Sequence, residues 1–170
     1  LVIDPSNNFF FFFRFAPSPT GPLHFGSLIA AVASRLEATV HDGHWHLRME
    51  DVDAPRCSQV FADAIVRGLA TFGFEWDGPV VWQHDRIEAY ESALERLRQR
   101  QSIFPCACTR RELADSEIHG LAQDGAALYP GTCRHGLPPG KQARAWRLRV
   151  GDAVVEFVDA VQGRVESMLA

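Results

Sequence analysis

Hydrophobic and polar positions in the first hundred residues of the chain alternate between a strand-like and a helix-like period. Residues 9–13 are an uninterrupted run of phenylalanine, which is suited to a buried parallel strand. A second strand is predicted over residues 45–50, after a turn at Asp42-Gly43. Apolar residues at helical spacing predict helices over residues 27–41, 58–72 and 85–100.

Each predicted helix has one apolar face that is expected to point inward. These faces consist of Leu28, Ile29, Val32, Ala33 and Leu36 in the first helix, Val60, Phe61, Ala64, Ile65 and Leu69 in the second, and Ile87, Tyr90, Leu94 and Leu97 in the third. Gly73 is suited to ending the second helix. The strand–helix–strand–helix order is typical of the start of a parallel sheet covered by helices, which is an α/β fold.

The composition changes at residue 104, where cysteine, glycine, proline and polar residues replace the apolar pattern until about residue 140. Short strands return at residues 145–150 and 154–158. We therefore expect an irregular leader over 1–8, the first part of the main domain over 9–103, an insertion over 104–140, and a return to the main domain over 141–170. Thr109 and Glu112 form a capping box, which predicts a short helix in the insertion.

Composition and charge limit the possible functions. The chain has 170 residues, is 46% hydrophobic, and contains no apolar run near the roughly 20 residues of a membrane span. We expect no membrane partner and, without signal-peptide features, a cytoplasmic location. The net charge of −4 provides no general attraction for nucleic acid, so any RNA contact must be local. Sixteen of the 17 basic residues are arginine, and Lys141 is the single lysine.

The loop over residues 14–27 carries the strongest chemical signal. It reads Arg-Phe-Ala-Pro-Ser-Pro-Thr-Gly-Pro-Leu-His-Phe-Gly-Ser and lies between the first predicted strand and the first predicted helix. Its prolines and glycines restrain the path of the loop and allow a ligand to approach the backbone closely. His24 supplies a side-chain donor, while Gly26 and Ser27 open a helix whose N–H groups and dipole favour phosphate.

The end of the second predicted strand carries a dense set of charges, in the segment Arg48-Met49-Glu50-Asp51-Val52-Asp53-Ala54-Pro55-Arg56. Strand alternation puts Arg48 and Glu50 on one side. Ligands gather beyond the carboxyl ends of parallel strands, so Glu50 is a candidate for a substrate ammonium group and Arg14 for a carboxylate. The alternative is a solvated acidic turn in which Arg56 pairs with Asp51 or with Asp53.

Three of the four cysteines are arranged as potential zinc ligands, in Cys106-Ala107-Cys108 and in the segment Tyr129-Pro130-Gly131-Thr132-Cys133-Arg134-His135. Inert thiols are the alternative. Imidazole is a commoner zinc ligand than phenolate, so chemistry alone favours His135 as the fourth ligand. Cys57 receives no role. The nearby cations form a candidate surface for tRNA phosphates, or ordinary solvated surface: Arg110, Arg111, Arg134, Lys141 and Arg144.

The loop over 14–27 resembles the first signature of class I aminoacyl-tRNA synthetases in its glutamyl form, with His24-Phe25-Gly26-Ser27 in the place of the His-Ile-Gly-His tetrad. The segment after Arg48 is similar to the same family. The segment from Tyr129 to Arg134 and the residues Phe157-Val158-Asp159 with Gln162-Gly163 resemble the smaller glutamyl-queuosine tRNA(Asp) synthetases, in which Tyr129 matches a zinc ligand. The resemblance covers about residues 12–163.

This resemblance implies the first half of a Rossmann-type class I synthetase nucleotide-binding domain with a small zinc-binding insertion. It implies that glutamate is activated by ATP and magnesium and then transferred to the queuosine base of tRNA(Asp). The implied glutamate site is Arg14, Phe15, Ala16, Pro17, Ser18 and Glu50. The implied ATP site is His24, Gly26 and Ser27, with His24 and Ser27 catalytic. The implied structural zinc ligands are Cys106, Cys108, Tyr129 and Cys133, with His135 as the alternative to Tyr129.

The second signature of the family, a lysine-rich KMSKS-type loop, has no match, because Lys141 lies within or just after the insertion. We therefore expect the chain to be the N-terminal portion of such an enzyme, and a monomer. Two alternatives are a truncated ordinary glutamyl-tRNA synthetase and a non-catalytic, zinc-stabilised module that binds nucleotide or RNA.

Overall fold

A computed structural model describes residues 2–3, 9–114, 129–151, 154–159 and 161–168. The chain divides into two compact units, Leu1–Glu91 and Ser92–Ala170, and each has a hydrophobic cluster of its own. Most of the expected leader, and residues 115–128 of the expected insertion, lie outside the described residues. The domain boundaries expected at residues 103/104 and 140/141 stay predictions.

The first unit is organised around a parallel sheet. After a short antiparallel pair of β1 (Val2–Ile3) and β2 (Phe9–Phe10), the sheet contains β3 (Phe12–Phe15), β4 (His44–Met49) and β5 (Val81–Trp82), in that spatial order. Helix α1 (Phe25–Val40) connects β3 to β4, and α2 (Gln59–Thr71) lies between β4 and β5. Parallel neighbours require such crossover connections, and helices are their usual form. The predicted α/β order is confirmed.

The core of this unit lies between one face of β4 and the two helices. Alternate residues of β4 face this core, as the period of a strand requires. The indole Nε1 of Trp45 donates a hydrogen bond to Ser34 Oγ at 2.9 Å and so connects β4 to α1. The buried hydrophobic residues of the cluster are Phe15, Ala31, Ala38, Trp45, Leu47, Met49, Ala62, Ile65 and Leu69.

The limits of α2 follow from its end residues. Ser58 Oγ accepts a hydrogen bond from the Phe61 N–H at 3.3 Å, which caps the first turn. Gly73 follows the helix with a φ of +79°, a conformation that glycine adopts without strain. The helix predicted over residues 58–72 is confirmed to within a residue at each end.

The phenylalanine run at residues 9–13 is not one buried parallel strand. Phe9 and Phe10 form β2, which is antiparallel, and the parallel strand begins only at Phe12. The side chain of Phe12 is 46% exposed, while Phe13 packs against the core. A run of identical residues contains no period of two, so it marks neither the strand boundary nor the buried side.

The buried face of α1 also differs from the prediction. The expected inward residues Ile29, Val32 and Leu36 are exposed, whereas the buried positions are Ala31 and Ala38. The small alanine side chains let the helix backbone approach the sheet closely. Because α1 has apolar residues on more than one side, their spacing alone does not identify the side that packs.

Smaller corrections concern α2 and the third helix. Val60 of α2 is exposed, although Ile65 and Leu69 are buried as expected. Helix α3 (Ile87–Gln99) follows a 3-10 turn at His84–Arg86, so it is shorter than predicted at its start. Ile87 and Leu94, predicted to point inward, are also exposed.

Among its described residues, the second unit contains the end of α3, two antiparallel strand pairs and a short helix. The strands β6 (Ile103–Cys106) and β7 (Ala145–Leu148) form one pair, and β8 (Val154–Asp159) and β9 (Gly163–Met168) form the other. β7 and β8 lie where strands were predicted, and β9 was missed. Helix α4 (Arg110–Ala114) starts at the predicted capping box, in which Thr109 and Glu112 exchange hydrogen bonds.

Across the part of the chain that the structure describes, no helix is both long and apolar enough to span a lipid bilayer.

Candidate functional site

The loop that follows β3 is fixed to the elements beyond β4 by backbone hydrogen bonds. The carbonyl oxygen of Pro17 accepts from the Glu50 N–H, and that of Pro19 accepts from the Ser58 N–H, each at 3.0 Å. Pro19 is among the fully buried residues. The loop, the carboxyl end of β4 and the start of α2 therefore meet at one edge of the parallel sheet, where such sheets bind ligands.

His24 is the N-cap of α1. Its Nδ1 accepts a hydrogen bond from the Ser27 N–H at 3.2 Å, and its ring is otherwise exposed. A nitrogen that accepts carries no proton, so a neutral ring in this arrangement holds its proton on Nε2. His24 thus caps the helix with one nitrogen and presents an N–H donor with the other.

The start of α1 differs in two ways from the prediction. The helix begins at Phe25 rather than Ser27, and the Ser27 N–H, expected to be free for phosphate, donates to His24 instead. Gly26 leaves room for the ring in this arrangement, because a Cβ at that position would lie 3.2 Å from both Cε1 and Nδ1 of the imidazole and the ring would have to shift by a few tenths of an ångström.

A cavity of about 240 Å³ lies between this loop and the two helices of the first unit. Its wall includes five of the candidate residues: Phe15, Pro17, Ser18, His24 and Ser27. Phe15 also belongs to the core, with its ring centroid 6.3 Å from that of Trp45. The remaining candidates of this region, Arg14, Ala16, Gly26 and Glu50, are not part of that wall.

Glu50 lies at the end of β4 beside Arg48, as strand alternation predicted. Arg48 Nε is 3.8 Å from Glu50 Oε1, and the Arg48 guanidinium donates from Nη2 to the Tyr90 hydroxyl at 2.8 Å. The Glu50 side chain is 35% exposed and can still accept hydrogen bonds. Arg14 is exposed on β3, where it is in register with His46 of β4.

Asp51 and His84 form an ion pair that sequence reasoning missed. The His84 ring nitrogen Nδ1 contacts Asp51 Oδ2, and the His84 backbone N–H donates to Asp51 Oδ1 at 3.0 Å. His84 Nε2 also lies 3.1 Å from Asp85 Oδ1. The two partners are 33 residues apart, and β5, which carries His84 to the end of β4, was not predicted.

This pair changes the ionisation of both partners. Burial acts to raise the pKa of Asp51, but hydrogen bonds and charge from His84 outweigh it, so the pKa lies below the ordinary 3.8. The hydrogen bond to Asp51 raises the pKa of His84 above 6.5. Of the two partners that the sequence left open for Arg56, the structure shows Asp53 and not Asp51.

Three of the predicted metal ligands come together in the second unit. The thiols of Cys106, Cys108 and Cys133 lie within 4.8 Å of one another, and Cys108 Sγ is 3.8 Å from Cys133 Sγ. Tetrahedral zinc with bonds of about 2.3 Å places two sulfurs about 3.8 Å apart. All four cysteines of the chain are free thiols, and Cys57 lies apart from the cluster.

Of the two candidates for the fourth ligand, Tyr129 lies beside the three thiols. Its hydroxyl lies 3.6 Å from Cys106 Sγ and accepts a hydrogen bond from the Cys133 N–H at 2.8 Å. Sulfur and oxygen ligands of a tetrahedral zinc ion are about 3.5 Å apart. His135 is exposed, and the described residues near enough to share a metal with the cysteines do not include it.

The surroundings of the cluster shift the pKa values of Cys106 and Cys108 in opposite directions. Burial acts to raise the pKa of Cys106, but hydrogen bonds from Arg147, the Cys108 backbone and Tyr129 lower it to about 7. Burial and the neighbouring sulfurs raise the pKa of Cys108 to about 11, and burial raises that of Tyr129. Metal ligands bind in their deprotonated form, so metal binding here would release protons.

Comparison with known families identifies the fold to which these sites belong. The family "tRNA synthetases class I (E and Q), catalytic domain" matches residues 12–168 of the chain. The chain belongs to this family. The matched segment contains every candidate residue from Arg14 to His135.

Relatives within the class I synthetase family are closely similar to this chain. This chain is 60% identical over 156 residues to a glutamyl-Q tRNA(Asp) synthetase of Dechloromonas aromatica (strain RCB). The matched region covers 92% of this chain and 52% of that protein. The chain is 59% identical over 157 residues to the enzyme of the same name from Aromatoleum aromaticum, covering 92% of this chain and 49% of that protein. The chain thus spans about half the length of these relatives.

Solved structures of this family share the fold. A glutamate–tRNA synthetase from Elizabethkingia anophelis superimposes with a TM-score of 0.70 at 23% identity, over 94% of this chain and 37% of that one. A glutamate tRNA ligase from Elizabethkingia meningosepticum, in complex with its amino acid, gives 0.68 at 24% identity, over 92% and 36%. With the parallel sheet, these likenesses agree with the predicted Rossmann-type fold.

Proposed function

We propose that this chain is the ATP- and glutamate-binding part of a ligase that forms glutamyl-adenylate and transfers the glutamyl group to the queuosine base of tRNA(Asp). The observation that carries the proposal is that the signature loop (residues 14–27), Glu50 and the start of α1, which His24 caps, meet at one edge of the sheet. Two relatives at 60% and 59% identity are glutamyl-Q tRNA(Asp) synthetases, which supports this acceptor. We also propose a cytoplasmic monomer.

The proposed roles follow from the chemistry of each group. Arg14 pairs with the glutamate side-chain or main-chain carboxylate, and Glu50 accepts from the ammonium group, with the backbone of residues 15–18 lining the site. His24 donates from Nε2 to the ATP phosphates beside Gly26 and Ser27 at the start of α1. Such a donor stabilises the negative charge that builds on the α-phosphate as a carboxylate attacks it. Magnesium bound with ATP would add further positive charge.

Glutamate-dependent exchange of pyrophosphate into ATP, measured on this chain with magnesium and without tRNA, tests the activation step. We expect exchange with glutamate but not with aspartate or glutamine, and loss of exchange in His24→Ala. His41→Ala is a matched control, because His41 lies at the opposite end of the same helix. A flat signal from folded protein would mean that this chain does not activate glutamate by itself, and would leave its family membership untouched.

Transfer of labelled glutamate tests the acceptor. We expect label on tRNA(Asp) that contains queuosine, and none on tRNA(Asp) that lacks the modified base. Label on tRNA(Glu) instead would favour the ordinary glutamyl-tRNA synthetase alternative.

We further propose that Cys106, Cys108, Tyr129 and Cys133 hold a structural zinc ion. The support is the agreement of the sulfur–sulfur and sulfur–oxygen distances with tetrahedral coordination. Metal analysis should give one zinc per chain for the unaltered protein and for His135→Ala, whereas Tyr129→Phe should bind zinc more weakly. The reverse order of the two variants would contradict the choice of Tyr129.

A further inference from the structure

Arg147 lies beside the proposed zinc ligands and contacts two of them. It is half-buried on β7, where it is in register with Phe104 of β6. Its Nε–H donates to Cys106 Sγ at 3.2 Å. Its guanidinium carbon lies 4.0 Å from the centroid of the Tyr129 ring. One side chain therefore touches a sulfur ligand and covers the face of the aromatic ligand.

Neighbouring arginines are directed elsewhere. Arg134 donates from Nη2 to the carbonyl oxygen of Val150 at 2.6 Å, and Arg149 donates from Nη1 to that of Arg134 at 2.9 Å. Arg149 also lies over the Phe104 ring, with its guanidinium carbon 5.0 Å from the centroid. It makes the same kinds of contact as Arg147 but touches no ligand through them.

The charge of the proposed site explains why a cation is needed there. Three thiolates and one phenolate carry four negative charges, and Zn²⁺ compensates only two of them. Excess negative charge in a largely buried site is unfavourable unless a nearby cation offsets it. A guanidinium is suited to this place, because it is planar, always charged, and can stack on a ring while it donates in its own plane.

We propose that Arg147 is a positioning residue of the metal centre, which holds the Tyr129 ring and the Cys106 sulfur in place for zinc and offsets the charge of the ligands. The inference rests on the zinc site of the proposed function. On this proposal, the contact of Arg147 with the Tyr129 ring is the reason why Tyr129, and not His135, is the fourth zinc ligand.

Zinc affinity, measured by competition with a chromogenic chelator, tests the proposal. Outer partners of metal ligands commonly contribute about tenfold or more to affinity, and we expect Arg147→Gln to weaken zinc binding by that factor. Arg147→Lys keeps the charge without the stacked plane and should give an intermediate loss. Arg149→Gln is the matched control and should retain the affinity of the unaltered chain.

The absorption spectrum of the Co²⁺-substituted protein provides a second readout. We expect Arg147→Gln to alter the ligand-to-metal bands toward those of Tyr129→Phe, and Arg149→Gln to leave them unchanged. In a Tyr129→Phe background, Arg147→Gln should cost less affinity than in the unaltered chain, because the ring that Arg147 covers then carries no zinc ligand for it to position.

Each result bears on the proposal. Equal zinc affinities of Arg147→Gln and Arg149→Gln, or an undiminished loss in the Tyr129→Phe background, would overturn it while zinc binding itself stands. An unaltered chain that binds no zinc would instead contradict the metal site of the proposed function. If Arg147→Gln does not fold, Arg147→Lys decides: a loss of affinity supports the proposal, and an unchanged affinity overturns it.

Discussion

At the scale of single residues, His24 combines a structural and a chemical task in one ring. Nδ1 accepts from the Ser27 N–H, so the capping hydrogen bond itself selects the tautomer with a proton on Nε2. Gly26 leaves room for the ring at the start of the helix. The donor proposed for ATP is therefore oriented before any ligand arrives, and its direction depends on the cap.

Two substitutions separate these tasks. Asparagine is a favourable N-cap, so His24→Asn should leave the free energy of unfolding unchanged but remove the Nε2 donor. His24→Ala should lose the cap as well and lower the free energy of unfolding by about 1 kcal/mol. Urea unfolding and ATP titration calorimetry measure the two effects. Undiminished ATP binding by His24→Asn would show that Nε2 is not the donor.

The Asp51–His84 pair should make stability depend on pH in a defined window. The pKa of Asp51 is lowered, so its contribution is present above about pH 4 and is lost as the pH falls through its folded pKa. The pKa of His84 is raised, so its contribution is complete below about pH 6.5 and is lost as the pH rises through its folded pKa. The pair therefore stabilises the fold most between these limits.

His84→Gln tests this window. The difference in free energy of unfolding between the unaltered chain and His84→Gln should be largest near pH 5 to 6 and should decrease above the ordinary pKa of histidine, roughly 6.5. Denaturant unfolding at a series of pH values measures it. In an Asp51→Asn background, His84→Gln should no longer change the pH dependence, and a persisting change would assign the effect to another partner such as Asp85.

At the scale of elements, the connection between α1 and β4 is unusually close to the neighbouring strand. The Gly43 N–H donates to the carbonyl oxygen of Ala38, and the next N–H, of His44, donates to that of Phe11. A Cβ at Gly43 would lie 2.7 Å from the same Phe11 oxygen, which is a backbone atom and cannot move aside easily. Only glycine fits where the helix turns into β4.

Gly43→Ala should therefore destabilise the first unit by about 1–3 kcal/mol, the usual cost of overpacking. Gly21→Ala is the control for stability, because a Cβ at Gly21 would have no neighbour within 4 Å. Thermal unfolding followed by tryptophan fluorescence compares the two. Similar stability of both variants would mean that the strand can shift to accommodate the methyl group.

The same elements explain how far the sequence predicts the fold. The bounds of β4 and α2 were predicted nearly to the residue, because polar and apolar positions alternate clearly in β4 and because Ser58 and Gly73 mark the ends of α2. The phenylalanine run and α1 lacked such contrast, so the strand boundary and the buried face were wrong. Local pattern predicts an element well only where it distinguishes the two sides of that element.

The candidate sites divide in a similar way. The signature loop and Glu50 were recognised because each lies in one short stretch of sequence, and the cysteines because they lie in two short stretches with the spacing of metal ligands. The contacts His84–Asp51, Tyr90–Arg48 and Arg147–Cys106 join residues 33, 42 and 41 positions apart. No local spacing indicates them, because they depend on which strands become neighbours.

At the scale of the whole molecule, the two units differ in what stabilises the fold of each. The cluster of the first unit contains large apolar side chains such as Trp45, Leu47 and Met49. The buried cluster of the second unit, among its described residues, consists of Phe104, Cys106, Ala107 and Cys133, two of which are proposed zinc ligands. A small apolar core is marginal without a further link, and a metal ion is a common one.

Removal of zinc should therefore loosen the second unit. For a structural site the energy of metal binding is folding energy, so chelation should remove hydrogen-exchange protection from β6 and β7. The amides of β4, whose surrounding cluster contains no proposed ligand, are the internal reference. Cys106→Ser in the presence of zinc should resemble the chelated chain, and Cys57→Ser should resemble the unaltered one. If β6 and β7 stay protected after metal analysis proves the zinc gone, the stability of this unit resides in its strand pairs and the metal has another purpose.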